Sequence, residues 1–289
     1  MRKFVTAVLT MVLVQVGVTA PVNAQSAMPT TNVLFRVLMI KSPTDIGSMF
    51  SVEVDNREYW VTAKHLLTGA KHPPLGVVSD KAVTLSVLDP TVAEERWVAQ
   101  KFSVIDPGKD IDIVVLAPER SIQVVPIPSL PMSVESVGIG GECEFLGFPF
   151  ATTWMSVWTN GASYKMPFIK HCYVSGEIPS PLRIWVLDGI NNDGFSGGPV
   201  VFDTGPRQKI FAVVSGYRTE STDVIPVPVP SERPPNANNP TGSQSSGLPN
   251  PVQYKPVVNV NSGFIYAFDI SYALDAIKKN PIGATVERK

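Results

Sequence analysis

The sequence is poor in the features that would tie it to metals, nucleic acids or membranes. Of its 289 residues only 2 are cysteine and 3 are histidine. Cys143 and Cys172 show no metal-ligand spacing, so neither a metal nor a cofactor is expected. Charge of either sign is not in excess: 24 lysines and arginines stand against 25 aspartates and glutamates, a formal net charge of −1. That balance supplies no field to draw nucleic acid or an anionic bilayer, and neither is read as a partner. Beyond the leader described next, no apolar run reaches the roughly 20 residues that cross hydrocarbon, so no membrane association of the mature chain is expected. No internal repeat is visible either, which sets solenoids and propellers aside.

What is present at the start is an export pattern. Arg2 and Lys3 precede an apolar run from Phe4 to Val18, and Val22-Asn23-Ala24 puts small residues where a signal peptidase reads them. Residues 1–24 are expected to be a signal peptide cleaved after Ala24, giving a secreted or periplasmic protein. The competing reading is an uncleaved anchor, because the run to Val22 approaches the length that spans a bilayer, about 20 residues. Export would carry Cys143 and Cys172 into an oxidising compartment, where a disulfide closing such a loop adds ~3 kcal/mol in the chain-entropy model. Two buried free thiols are the equal alternative, and neither cysteine is a nucleophile candidate.

Short segments rich in valine, isoleucine, threonine and aromatics recur every ten or so residues, and they read as strands separated by turns. Val33–Ile40, Phe50–Val54, Tyr59–Thr62, Ala82–Leu88 and Ile111–Leu116 form a first set. After the proline-rich Val125–Pro131 come Glu144–Leu146, Thr153–Trp158, Phe168–Val174, Leu182–Leu187, Val200–Phe202 and Ile210–Val214. Two β-rich halves, 31–122 and 132–280, are the natural division. Between Thr219 and Pro256 proline, serine and asparagine dominate, so a surface loop or disordered insertion that could cover a cleft, rather than a domain, is expected there. Phe264–Phe268 reads as a last strand, and Ile270–Lys279 as the one amphipathic helix, with Ser271 as its cap and Asn280-Pro281 ending it.

The sharpest local signal is Gly194-Phe195-Ser196-Gly197-Gly198-Pro199. Glycines on both sides let the backbone turn tightly around an exposed serine hydroxyl, with amides pointing the same way. Acyl transfer asks for that arrangement: the N–H groups of Gly194 and Ser196 would stabilise an oxyanion, and losing one such donor typically costs about 3 kcal/mol. Taken alone, the hexapeptide has as its lesser alternative an ordinary glycine-rich turn. A serine hydroxyl also needs a base. His65 ends the apolar segment Trp60-Val61-Thr62-Ala63-Lys64-His65, where a positioned catalytic group belongs, whereas His72 in a Lys-His-Pro-Pro turn and His171 beside Cys172 read as surface or structural residues. The base in turn needs a carboxylate to orient it. Asp112 heads the apolar Ile113-Val114-Val115-Leu116; Asp110 shares its face at period-2 spacing, and the position against the apolar run favours Asp112.

Together, Thr62-Ala63-Lys64-His65, Asp112-Ile113-Val114-Val115-Leu116 and Gly194-Phe195-Ser196-Gly197-Gly198-Pro199 resemble the trypsin/chymotrypsin-like serine peptidases, above all the bacterial trypsin-like domains related to the HtrA (DegP-like) proteases. The order His, Asp, Ser separates this pattern from subtilisins and α/β-hydrolases. The resemblance runs from about Val33 to Ile277 and takes in two more segments: Phe145-Leu146-Gly147-Phe148-Pro149, similar to an element near the start of the second barrel, and Ala212-Val213-Val214-Ser215-Gly216, similar to the strand after the nucleophile. It implies an all-β, chymotrypsin-like double six-stranded β-barrel with a C-terminal α-helix. Ser196 would be nucleophile, His65 base and Asp112 its partner. Ser215 would support Asp112 and, with Gly216, line a cleft that holds an extended polypeptide by strand addition.

Departures from the family pattern carry information of their own. Animal trypsins place an aspartate immediately before the nucleophile to receive the new N-terminus; here that residue is Phe195, so a trypsin-style zymogen switch is not expected. The main specificity position, six residues before the nucleophile, falls on Ile190, which implies an apolar residue before the scissile bond. Typical HtrA proteins continue into a PDZ domain, for which this chain has no room, so regulation by peptide tails is not implied. The leading expectation is an exported serine endopeptidase, and esterase action would use the same residues. The alternative from another class is a catalytically silent or autoinhibited binding module whose cleft is blocked.

Overall fold

The computed structural model describes residues 30–70, 75–122, 129–133, 137–157, 163–178, 181–203, 208–223 and 257–286. The expected signal peptide, His72 and residues 224–256 of the proline-rich stretch lie outside them. After a one-turn helix, α1 (Thr31–Leu34), the first half contributes β1 (Val37–Lys41), β2 (Ile46–Val54) and β3 (Arg57–Thr62), then the short helix α2 (His65–Thr68), then β4 (Ala82–Leu88), β5 (Trp97–Ile105) and β6 (Val114–Pro118). These strands follow the order β3-β2-β1-β4-β5-β6, and β6 pairs back onto β3 through Trp60–Leu116 and Thr62–Val114. The sheet is thereby a closed six-stranded barrel with no exposed edge. Asp55 and Asn56 make the β2–β3 turn at φ +51° and +57°, a left-handed pair that short polar side chains tolerate better than others.

In the second half β7 (Glu142–Gly147) is followed by a small separate hairpin of β8 (Trp154–Val157) and β9 (Ser163–Met166). Then come β10 (Phe168–Glu177), β11 (Ile184–Asp188), β12 (Pro199–Asp203), β13 (Gln208–Asp223) and β14 (Val257–Asp269). They close a second six-stranded barrel in the order β7-β10-β11-β14-β13-β12. Helix α3 (Ser271–Lys279) leaves β14 and lies against β6, and β15 (Ala284–Thr285) adds to the outer side of β3.

Why the strands read as near-continuous apolar runs becomes clear from where alternate residues go. Leu38, Ile40, Met49, Trp60, Phe102 and Leu116 fill the first barrel, and Phe145, Trp185, Leu187, Phe195, Phe211 and Val214 the second. The intervening residues do not face water: Val37, Met39, Phe50 and Val61 from one barrel meet Leu146, Val213, Phe268 and Ile277 from the other half in a third cluster between them. With both faces of a strand buried, period-2 alternation disappears. That third cluster fixes one barrel against the other, and the site lies along this seam.

Three expectations need correction. Val33–Ile40 is not one strand: the amides of Val33 and Leu34 both donate to the Thr30 carbonyl and Arg36 Nε donates to Asn32 Oδ1, so the first residues wind into α1 before β1 begins. The stretch from Thr219 is not loop from its start, because β13 runs to Asp223 and pairs with β14 down to Val257. Thr219 and Glu220 are exposed, and the polar segment Thr219–Asp223 leaves no apolar alternation to read. Ser271 does not cap α3; its amide is held at 2.9 Å by the carboxylate of Asp269, which does the capping from two residues upstream.

Candidate active site

His65, the base candidate, is presented by the end of β3 and the short helix that follows it. Thr62 ends β3 in the barrel wall, and its hydroxyl donates to the Ser48 carbonyl at 2.7 Å; the chain then bends into α2, which Gly69 terminates at φ +72°. His65 is therefore held at the rim, with its backbone N–H on Asp112 Oδ1 at 2.9 Å and its ring Nδ1 on Asp112 Oδ2 at 2.7 Å. Asp112 rather than Asp110 occupies this position. Its loop is fastened from below by Lys64, a fully buried side chain whose ammonium pairs with Asp106 at 2.6 Å and also donates to the Gly108 carbonyl.

Asp112 is 2% exposed. Such burial on its own would raise a carboxyl pKa, but hydrogen bonds from the His65 ring, the Ser215 hydroxyl and the His65 amide outweigh it, and the group is held below the usual carboxylate range. A carboxylate that stays ionised against an Nδ1–H leaves Nε2 as the free, basic nitrogen of the ring.

The nucleophile candidate is set in a turn clamped from both barrels. Gly198 N–H donates to the Phe195 carbonyl, Gly197 N–H to the Val214 carbonyl, and from the first barrel Ser48 N–H donates to the Ser196 carbonyl at 2.8 Å. Gly197 sits at φ +82°, and a β-carbon there would stand 2.2 Å from the Ser48 carbonyl oxygen, so only glycine fits. Gly194 is at φ +101°, with Phe148 and Pro149 backbone against the place a side chain would take. Its carbonyl accepts from the Ser48 hydroxyl at 2.7 Å and from Phe148 N–H. Among the described residues neither Gly194 N–H nor Ser196 N–H donates to a protein acceptor, the condition for two amides kept ready for an oxyanion.

Ser215 joins the two halves of this constellation. A register shift between Val214 and Gly216 in the β13–β14 pairing makes it a bulge, and bulges re-aim side chains. Its hydroxyl donates to Asp112 Oδ2 and its carbonyl accepts from Ser196 Oγ at 3.2 Å. The Ser196 hydroxyl is thus directed at Ser215, and no hydrogen bond joins it to the His65 ring among the described residues. Beyond Ser215 the strand turns its other edge to the cleft, since β13 pairs there only with β14. Nothing lies within 4 Å of a β-carbon built on Gly216, so the space beside it is open.

Elsewhere the placements differ from expectation. Ile190 is 55% exposed, and the buried residue at this bend is its neighbour Asn191, so the isoleucine does not floor an enclosed pocket here. Cys143 and Cys172 face each other across β7 and β10, but with Sγ atoms 2.7 Å apart they are free, buried thiols and the disulfide is not formed, a bond requiring about 2.05 Å. Burial pushes the Cys172 thiol up, leaving it unreactive. His171, by contrast, is where it was expected, solvent-facing beside Glu142 and Glu144. Sequence reasoning missed Ser48, whose only signal was a small polar residue inside the apolar strand Ile46–Val54. It also missed Lys170, whose ammonium donates to the Ile190 carbonyl at 2.6 Å and to Asn192 Oδ1.

No protein-family model and no curated protein matches the sequence. Among solved structures it is similar to the Rv3671c protease in its inactive form, at 15% identity and a TM-score of 0.45, covering 87% of this chain and 91% of that one. Similarity to the active form of the same protease from M. tuberculosis is alike, at 14% identity, a TM-score of 0.46 and 88% and 87% coverage. The HtrA-type protease AlgW with a tripeptide gives 14% identity and a TM-score of 0.49, over 87% of this chain and 61% of that one. Two closed six-stranded antiparallel barrels, packed face to face with a C-terminal helix, give this chain the trypsin-like serine-protease fold.

Proposed function

We propose that the chain is an exported serine endopeptidase, with Ser196 as nucleophile, His65 as general base and then general acid, and Asp112 as the carboxylate that orients it. The observation that carries this reading is the continuous chain of contacts from the His65 ring through Asp112 and Ser215 to Ser196, on a seam between two barrels. Rotation of the Ser196 side chain away from the Ser215 carbonyl frees its proton for His65, a movement expected on substrate binding because catalytic hydrogen bonds are often loose in the free enzyme. The hydroxyl oxygen attacks the scissile carbonyl while the N–H groups of Gly194 and Ser196 receive the oxyanion. His65 then returns the proton to the leaving amine, and water repeats the sequence on the acyl-enzyme. An extended polypeptide lies along the free edge of β13 at Ser215 and Gly216. The leader of residues 1–24 sends the protein to the periplasm or the medium.

A fluorophosphonate probe tests the reading. Wild-type protein is expected to be labelled, Ser196→Ala not at all, and His65→Ala at least ~1000-fold more slowly. Cleavage-site profiling on denatured protein, with Ser196→Ala as control, then reads the preference of the pocket. A second reading, a catalytically silent or autoinhibited binding module, is favoured by the direction of the Ser196 hydroxyl, which is engaged by Ser215. Labelling gained only on deleting residues 226–254 selects autoinhibition; folded protein that is never labelled selects a binder.

A further inference from the structure

Segment 190–195 carries an amide proposed to receive the oxyanion, and Asn191, Gly194 and Phe195 within it are buried. Asn261 Nδ2 donates to the Asn191 carbonyl at 2.6 Å, Phe150 N–H to the Asp193 carbonyl at 2.8 Å and the Ser48 hydroxyl to the Gly194 carbonyl, while the outer residues of the segment lean on a single side chain. Ile190 is mostly exposed and Asp193 is exposed. The internal bonds are short-range: Asn192 N–H donates to Asn191 Oδ1, and Phe195 N–H to the Asn192 carbonyl at 3.3 Å. One cation from a neighbouring strand is committed to this segment. Lys170 lies on β10, directly across from Phe145 of β7, and its side chain runs beneath the segment. Its Nζ donates to the Ile190 carbonyl and the Asn192 side chain, and it stands 5.4 Å from the centre of the Phe195 ring. Phe195 is itself wedged edge-on against Phe145, ring centroids 4.9 Å apart. Among the described residues Lys170 has no carboxylate partner; all three groups it addresses are uncharged and come from the same six residues. Partial burial draws its pKa down.

We propose that Lys170 is a positioning residue whose ammonium ties residues 190–195 to β10 and thereby sets the direction of the Gly194 and Ser196 amides. The inference rests on the hydrolytic reading for its catalytic consequence, but not for the tethering itself. The geometry passes order along the chain: fixing the Ile190 carbonyl and the Asn192 side chain fixes the Asn192 carbonyl, which receives Phe195 N–H. Phe195 in turn offers its carbonyl to Gly198 N–H on the far side of the nucleophile. An ammonium suits this task because its three donors can serve a carbonyl and a side-chain amide at once while its charge rests on an aromatic face. A neutral side chain of similar length, such as methionine, would keep the stem and lose every one of these contacts.

The test uses the full chain and two variants, Lys170→Met and Lys170→Arg, with two measurements. In the first, amide hydrogen exchange is followed at Phe195 and Gly198, with Val201 and Val213 in the barrel as reference. Exchange at least ~10-fold faster at the turn in Lys170→Met, unchanged in the barrel and largely restored in Lys170→Arg, supports the tether. Unchanged exchange at the turn overturns it, and so does equal acceleration in the barrel, which would mean general loss of stability. In the second, kcat is expected to fall ~100-fold in Lys170→Met with KM within ~3-fold, the signature of a weakened oxyanion site. An unaltered kcat in an active enzyme overturns the link to the amides. Should the wild type fail to react with a fluorophosphonate, the hydrolytic reading falls while the exchange measurement still decides the tether.

Discussion

Ser215 offers its hydroxyl to Asp112 and its carbonyl to Ser196, so one bulged residue of β13 touches both ends of the candidate triad. The hydroxyl is one of three donors that keep Asp112 ionised, and the carbonyl sets where the Ser196 hydroxyl waits. Removing a hydrogen bond to a charged group costs about 1.5–3 kcal/mol. Ser215→Ala is accordingly expected to lower kcat by ~10- to 100-fold with little change in thermal stability, because the backbone carbonyl remains. Steady-state kinetics on a peptide substrate measure this, and wild-type kcat in the variant would show that Asp112 is held well enough by His65 alone.

Two carboxyl groups define how stability responds to acid. Asp112 is depressed as described, and Asp89 is lowered to about 2 because hydrogen bonds from Thr91 and Arg96 outweigh a burial that would raise it. Both have folded pKa values below the unfolded value of about 3.9, so the unfolded chain binds more protons in acid. Their contribution is complete above the unfolded value and is lost as pH falls through the folded ones. Urea midpoints are therefore expected to hold from pH 7 to about pH 5 and to drop steadily from pH 4 toward pH 2. Asp89→Asn should flatten that drop. A midpoint as high at pH 3 as at pH 6 would contradict the sign.

What could be read from the chain and what could not follows from the physics of each signal. The turn that carries Ser196 was legible because a tight turn around an exposed hydroxyl demands glycine, and glycine at positive φ leaves its mark in the sequence. The pairing of His65 with Asp112 was legible because each sits where an apolar strand meets a loop, and the order of the three motifs carried the fold. Lys170 and Ser48 were not, because they act through three-dimensional approach: Ser48 lies 148 positions from the serine whose carbonyl it holds. Strand β5 went unread since much of Trp97–Ile105 faces solvent with charged and polar residues interleaved. The bent course of residues 31–36 was hidden by valine and leucine, which serve a helical turn at the barrel seam as well as a strand.

Lys64 and Asp106 form an ion pair next to His65, 2.6 Å apart, with the Lys64 side chain fully inaccessible. Removing one partner of such a pair leaves the other charge without compensation, a loss of about 3–5 kcal/mol. Lys64→Met is expected to lower the unfolding free energy by that amount. Because the pair fastens the loop leading to Asp112, it should also reduce kcat in the molecules that remain folded. Lys64→Met combined with Asp106→Asn should recover part of the stability, since the orphaned carboxylate is then gone. Equal stability of the single and double variants would mean that Asp106 reaches water when unpaired.

The nucleophile turn offers the most demanding test of the clamp between barrels. Gly197 holds a left-handed backbone, and a methyl group there would strike the Ser48 carbonyl at 2.2 Å and the Thr62 hydroxyl at 2.3 Å, both buried in the wall of the first barrel. Neither can retreat easily, because Thr62 donates to that same carbonyl and Ser48 N–H is bound to Ser196. Left-handed backbone costs a non-glycine residue about 1–2 kcal/mol, and overpacking a closed site adds a further ~1–3 kcal/mol. Gly197→Ala is thus expected to destabilise the protein by more than ~2 kcal/mol and to abolish fluorophosphonate labelling, since the turn must shift away from His65 to make room. Gly216→Ala, where the same methyl group meets open space, should leave stability within ~0.5 kcal/mol of wild type. If both variants behave alike, the turn is not clamped by the first barrel and the two halves of the site are held together by something other than Ser48 and Thr62.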